Sequence, residues 1–141
     1  MAKKILFVED DEGFYNIFSV PLKMKGYDVV RVVDGNYAVE KIIVEKPDLV
    51  LLDIVLPGTN GLEILKELRE REETQSVVVV MLTNFGSDEN ISKAMEYGAN
   101  DCLMKYNIVP SELPDKIASL LGESQNFNVK VNAVAVYPTD I

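Results

Sequence analysis

The sequence predicts an α/β domain in which a strand and a helix repeat five times, (βα)5, to give a parallel sheet doubly wound by helices on both faces. Three observations carry the prediction. Short apolar, β-branched runs alternate with helix-length amphipathic segments. The runs lack the strict polar–apolar alternation of a sheet with one wet face, as strands buried on both faces should. The helical segments end at glycine or proline, which returns the chain to the next run. Such alternation implies right-handed crossovers between parallel neighbours.

The first run, Lys4 to Val8, ends in Glu9-Asp10-Asp11. After Glu12, Phe14, Ile17, Phe18 and Leu22 recur at helical spacing until Gly26. Pro21 lies inside this helix, removes one backbone hydrogen bond and predicts a kink near Ile17 to Val20. Asp28 to Val33 is the second strand. The turn Asp34-Gly35 leads into a helix from Tyr37 to Glu45, stopped before Pro47. Leu49 to Leu52 is the third strand, and Asp53 stands at its end. Pro57 stiffens the next loop, Pro57-Gly58 marks a turn, and Gly61 is expected to take a positive φ before the third helix of Leu62, Leu65 and Leu68. Val77 to Leu82 precedes Thr83-Asn84, and a fourth helix carries Ile91, Ala94 and Met95 up to Gly98. Asp101 to Met104 runs into Lys105. The fifth helix carries Ile117, Leu120 and Leu121 up to Gly122; with Ser111 as its N-cap it starts near Glu112 and holds Pro114 in its first turn.

Residues 1–122 therefore read as one domain and 123–141 as a C-terminal extension. In the extension Phe127, Val129 and Val131 alternate before an apolar run from Ala133 to Tyr137, a pattern that fits an added strand or, failing that, a flexible tail. A chain of 141 residues leaves no space for a second folded domain, so output through protein contacts is expected. No run of about 18 apolar residues and no leader cleavage pattern occurs, so the expectation is a cytoplasmic protein without membrane insertion. One cysteine, Cys102, and no histidine exclude disulfides, the usual zinc sites and histidine-based catalysis. A net charge of −9, with fourteen scattered Lys and Arg, argues against direct nucleic-acid binding.

In an open parallel sheet, ligands bind at the carboxyl ends of the strands, near the point where strand order reverses. That rim gathers Glu9, Asp10 and Asp11, then Asp53, Thr83 and Lys105. A single acid at a strand end is most often solvated or caps the next helix, and capping is the reading for Asp11. Glu9, Asp10 and Asp53 together crowd carboxylates, which raises a pKa or costs stability unless a cation intervenes. Mg²⁺, with Mn²⁺ as a substitute, suits a site of few carboxylates and several waters, and Lys105 adds a fixed positive charge. An Asp53 oxygen could then attack phosphorus, with Thr83 and Lys105 on the oxygens of the transferred group. Without a histidine in the chain, the phosphoryl donor must be external.

The set Val8-Glu9-Asp10-Asp11, Asp53-Ile54-Val55-Leu56-Pro57 with Gly61, Thr83, "EYGAND" and Lys105 resembles the receiver domain of two-component response regulators of the single-domain, CheY-like kind. The resemblance spans roughly residues 3 to 121. It implies a flavodoxin-like sheet of order 2-1-3-4-5 and Asp53 as phospho-acceptor. It also implies Glu9, Asp10, Asp53 and the Val55 backbone carbonyl as Mg²⁺ ligands, Thr83 as switch hydroxyl and Lys105 as phosphoryl partner. The donor it implies is a phosphohistidine on a sensor histidine kinase or a histidine phosphotransfer protein. A downstream protein would meet the face formed by Asn90 to Tyr97 and Asp101 to Leu121, on a monomer or weak homodimer. The chain is then a phospho-accepting signalling domain rather than an enzyme.

Two departures from the family bear on mechanism. Cys102 replaces the aromatic three residues before the lysine, so signalling runs through Thr83 and the fourth helix alone, or Tyr106 or Phe85 substitutes, or the protein holds one state. Tyr106 replaces the usual proline after the lysine, so a trans peptide is expected there, because a cis bond without proline costs about 2.5–4 kcal/mol. Val55 and Phe85 overlook the phosphoryl pocket in this family, and an apolar pair there predicts a long-lived phosphoryl state. Three rival functions are weaker. A flavin carrier would not place Glu9-Asp10-Asp11 against phosphate. A haloacid-dehalogenase-type phosphatase needs an acid where Val55 stands. A receiver-like interaction module that is never phosphorylated has Cys102 in its favour and the intact rim set against it.

Overall fold

The structure, a computed structural model, describes residues 2–84 and 88–123. Its strands are β1 (Lys4–Val8), β2 (Asp28–Val32), β3 (Leu49–Asp53), β4 (Val78–Thr83) and β5 (Asp101–Met104). Its helices are α1 (Glu12–Met24), α2 (Ala38–Glu45), α3 (Gly61–Glu70), α4 (Asp88–Glu96) and α5 (Leu113–Leu120). The five strands form one parallel sheet in the order β2-β1-β3-β4-β5, the flavodoxin-like arrangement.

Why the strands are apolar throughout is visible in the core. Successive strand side chains point to opposite faces, and both faces are covered. Ile5, Phe7, Leu49, Leu51, Val80 and Leu82 pack with Phe18 and Leu22 of α1 and Leu113 and Ile117 of α5. Leu6, Val8, Val50, Leu52, Val79 and Met81 pack with Ile42 of α2, Leu65 and Leu68 of α3 and Ala94 of α4. Each leucine-sized side chain buried this way contributes about 1.5–3 kcal/mol. The chain steps outward from β1 to β2 with α1 on one face, then returns to β3 and on to β5 with α2, α3 and α4 on the other, so the crossovers keep one hand.

Helix α1 continues through Pro21 to Met24; Ile17, whose carbonyl would have accepted the missing bond, is on the exposed side of the helix, where water can serve it. Other local expectations are corrected by packing. Ser111 is not the N-cap of the last helix. It lies inside a 3-10 turn, Pro110–Glu112, and α5 begins at Leu113 with Glu112 as a cap that makes no side-chain bond. Pro114 still falls in the first turn, as its missing N–H allows. Strand β2 ends one residue early, at Val32, and Tyr37 belongs to a 3-10 turn ahead of α2. Helix α2 stops at Lys46 in the left-handed region (φ 51°), the residue before Pro47. The peptide joining Lys105 to Tyr106 is trans, as expected.

At the end of α5 the Glu123 N–H donates to the Ala118 carbonyl at 2.9 Å, and the Tyr27 hydroxyl donates to Glu123 Oε1 at 2.6 Å. The strand pattern expected from Phe127 to Tyr137 lies outside the described residues, as does Phe85.

Gly61 is needed for a reason other than the positive φ expected. It is Gly58 that has the left-handed backbone, at φ 78°. At Gly61 a Cβ would strike the Asp53 carbonyl and come within 2.9 Å of Ile54 Cα, because α3 starts directly against the end of β3. Replacement Gly61→Ala should therefore lower the unfolding free energy by about 1–3 kcal/mol; a urea titration with an unchanged midpoint would contradict this packing account.

Candidate functional site

The strand order reverses between β1 and β3, so Glu9 and Asp10, which follow β1, emerge beside Asp53, the last residue of β3. Register fixes the rest of the rim. Val8 pairs with Leu52, Asp53 with Leu82, and Thr83 with Met104, so Thr83 ends β4 next to Asp53 and Lys105 follows directly from β5. Asp53 is 4% exposed, Glu9 0%, Thr83 1% and Lys105 8%. Asp10 alone of the three expected acids is exposed.

Buried ionised groups need partners, and here they share one. The Lys105 ammonium donates to Asp53 Oδ2 at 2.8 Å and meets Glu9 Oε1 at 2.6 Å as an ion pair rather than an aligned hydrogen bond. The other Glu9 oxygen, Oε2, accepts the Asp11 N–H at 3.1 Å, and Asp53 Oδ1 accepts the Val55 N–H at 3.3 Å. Burial pushes the Glu9 carboxyl up to about 7; the ion pair with Lys105 opposes that rise, and the Asp53 charge adds to it. Burial lowers the Lys105 pKa, but its contacts with Asp53 and Glu9 together outweigh burial and leave it raised. The two carboxylates thus favour the charged form of the ammonium.

The acidic loop is formed by local and distant bonds. Asp11 is the N-cap of α1, as its sequence position predicted, and accepts the Phe14 N–H at 3.1 Å. Arg31 of β2 reaches across to the same loop: its guanidinium donates to the Glu9 carbonyl at 3.2 Å and the Asp10 carbonyl at 3.3 Å while lying 4.9 Å from the centre of the Tyr15 ring. On the other side, the loop after Asp53 is tied to the β2–α2 turn. The Gly35 N–H donates to the Pro57 carbonyl at 2.9 Å, and Thr59 Oγ1 donates to Asn36 Oδ1 at 2.9 Å. Asn60 caps α3 by accepting the Glu63 N–H at 3.0 Å.

The structure thus brings Glu9, Asp10, Asp53 and Lys105 together and sets Thr83 at the neighbouring strand end. Val55 stands exposed over the rim. Cys102 is half-buried beside the α4 side of the core, where burial pushes its thiol up and the Asp101 charge adds to that, and Tyr106 points outward with its hydroxyl 3.2 Å from Met104 Sδ. Two residues were not foreseen from sequence. Arg31 was hidden in an apolar strand, although a cation in the middle of "DVVRVV" was a usable signal. Phe14 shares the helical spacing of Ile17, Phe18 and Leu22, which gives no sign that its ring centre lies 4.4 Å from Lys105 Nζ.

A cation fits this donor set. Glu9, Asp10 and Asp53 each offer a carboxylate oxygen, and those oxygens lie within 4.8 Å of one another. Among the described residues one ammonium touches them, leaving negative charge in excess in a largely buried place. All-oxygen donors of this kind suit a hard divalent ion that keeps some of its waters.

A family model described as the response regulator receiver domain matches residues 5–118. Among solved structures, the BeF3-activated N-terminal receiver domain of RstA from Klebsiella pneumoniae is 38% identical and superposes with a TM-score of 0.77 over 84% of this chain and 98% of that one. A CheY-like response regulator receiver domain protein from Methanospirillum hungatei is 30% identical, with a TM-score of 0.79 over 86% of this chain and 95% of that one. The chemotaxis protein CheY4 of Vibrio cholerae is 26% identical, with a TM-score of 0.77 over 85% and 99%.

Because Arg31 holds two loop carbonyls, Arg31→Met should lower the unfolding free energy by about 1–2 kcal/mol, the range of charge-assisted bonds at a partly exposed site. A shifted urea midpoint with unchanged slope is expected; no shift would mean that the acidic loop holds itself.

Proposed function

The chain belongs to the response regulator receiver domain family, and on that premise we propose that it is a receiver that accepts a phosphoryl group on Asp53 from a phosphohistidine donor and signals by altered protein contacts. One observation supports this most: a buried ammonium, Lys105, contacts both Asp53 and Glu9 at the sheet rim, where three carboxylates converge.

An oxygen of Asp53 attacks phosphorus, the P–N bond to the donor imidazole breaks, and its electron pair leaves with the imidazole, which takes up a proton. Glu9, Asp10, Asp53 and the Val55 backbone carbonyl would hold Mg²⁺, with Mn²⁺ as substitute, and the ion would supply positive charge to offset that of the phosphoryl group. Lys105 transfers one of its contacts from an Asp53 oxygen to a phosphoryl oxygen, and Thr83 offers its hydroxyl to another. Catalysis here is positioning and charge stabilisation, without turnover of a separate substrate. Val55 helps to exclude water from the acyl phosphate.

The receiver unit is residues 1–122, with 123–141 as an extension. The donor is a sensor histidine kinase or a histidine phosphotransfer protein in the cytoplasm. The output face is Asn90 to Tyr97 with Asp101 to Leu121, supported by the exposed Met95, Tyr106 and Val109. It recognises protein rather than nucleic acid, on a monomer or weak homodimer. With Cys102 where an aromatic would turn inward, displacement of Thr83 and α4 carries the signal.

Incubation with acetyl phosphate and Mg²⁺, followed by intact mass, should give one phosphate adduct on the wild type and none on Asp53→Asn. An unmodified wild type would favour a receiver-like interaction module that never takes phosphate.

A further inference from the structure

We propose that Phe14 is a positioning residue for phosphoryl transfer: its ring is the platform that holds the Lys105 ammonium between Glu9 and Asp53. The proposal rests on Asp53 being the phosphoryl acceptor, and its test separates the two.

A lysine side chain has a long flexible stem and a small, strongly hydrated head, so fixing its ammonium requires contacts on several sides. At Lys105 two sides are carboxylates, Asp53 at 2.8 Å and Glu9 at 2.6 Å. A third is the Phe14 ring, whose centre lies 4.4 Å from Nζ. The negative face of an aromatic ring attracts a cation most strongly where water is excluded, and Lys105 is 8% exposed. The platform is itself fixed. Phe18 stacks on the Phe14 ring at 4.2 Å with planes 17° apart, and Phe7 meets it edge-on at 6.3 Å.

The same first turn of α1 sets both the ring and the acid. The Phe14 N–H is bonded to Asp11, whose own N–H is bonded to Glu9, and Glu9 contacts the ammonium that lies over the ring. Lys105 is therefore part of a closed loop of contacts through Glu9, Asp11 and Phe14. A neutral ring suits this position better than a third carboxylate would. It holds the cation without adding negative charge to repel an incoming phosphoryl group, and it turns an apolar surface toward the ammonium.

The test uses the full chain with ¹³C-labelled lysine and three variants. Phe14→Leu and Phe14→Met keep apolar volume and lose the ring; Phe14→Tyr keeps the ring. In wild type and Phe14→Tyr the Lys105 ε-methylene resonance should be shifted upfield by the ring current. In Phe14→Leu and Phe14→Met it should return toward the other lysines in protein shown by circular dichroism to be folded. The rate of phosphorylation by phosphoramidate with Mg²⁺ should fall roughly tenfold in the same two variants and recover in Phe14→Tyr, the factor expected for losing one desolvated cation–ring contact. An unshifted wild-type resonance, or ring-less folded variants that react as fast as wild type, would overturn the role of Phe14. A wild type that takes no phosphate would instead remove Asp53 as acceptor, and the resonance would still decide whether the ring seats Lys105.

Discussion

Everything at the rim depends on one buried ammonium between two carboxylates. Lys105 contacts Glu9 and Asp53 where all three side chains are almost wholly shielded from water. Removing the ammonium from such a set would leave two buried carboxylates without a counter-charge, a change of several kcal/mol, whereas removing either carboxylate leaves a one-to-one pair. Glu9, driven by burial well above the ordinary carboxylate range, registers how finely the balance is set. A third carboxylate, Asp10, has an oxygen within 4.8 Å of those of the other two, so the rim carries more acid than base.

The fold exists around that constraint in specific ways. Two apolar layers bury both faces of the sheet, which gives strand ends rigid enough to hold charged groups to fixed distances. Three elements then shape the rim: the Asp11 cap turns the chain into α1, Arg31 pins the carbonyls of the acidic loop, and Gly61 lets α3 begin against the Asp53 backbone. Each of the three lies beside the backbone or side chain of a rim carboxylate and helps to set its position.

Strands, helices and the rim residues were legible in the sequence because their signals are local: mostly apolar runs of four to six residues, glycine stops, and acids placed where runs end. Strand ends at one edge of a parallel sheet follow from topology alone, so Glu9, Asp10, Asp53, Thr83 and Lys105 could be gathered without coordinates. The features that were misread depend on what approaches from elsewhere in the chain. Ser111 has capping chemistry, but the turn from Pro110 to Glu112 carries it inside a 3-10 segment. Gly61 is explained by the carbonyl it faces rather than by its own backbone angle, and the helical spacing of Phe14 says nothing of the ammonium that lies over its ring.

A divalent cation that completed the crowded carboxylates around Asp53 would stabilise the fold, so the decisive measurement is the unfolding free energy of the full chain as Mg²⁺ is raised. Wild-type stability should climb with concentration, by about 2.7 kcal/mol when Mg²⁺ reaches a hundred times its dissociation constant, and that of Asp53→Asn far less. Equal Mg²⁺ dependence in the two proteins would mean that the ion does not bind at Asp53.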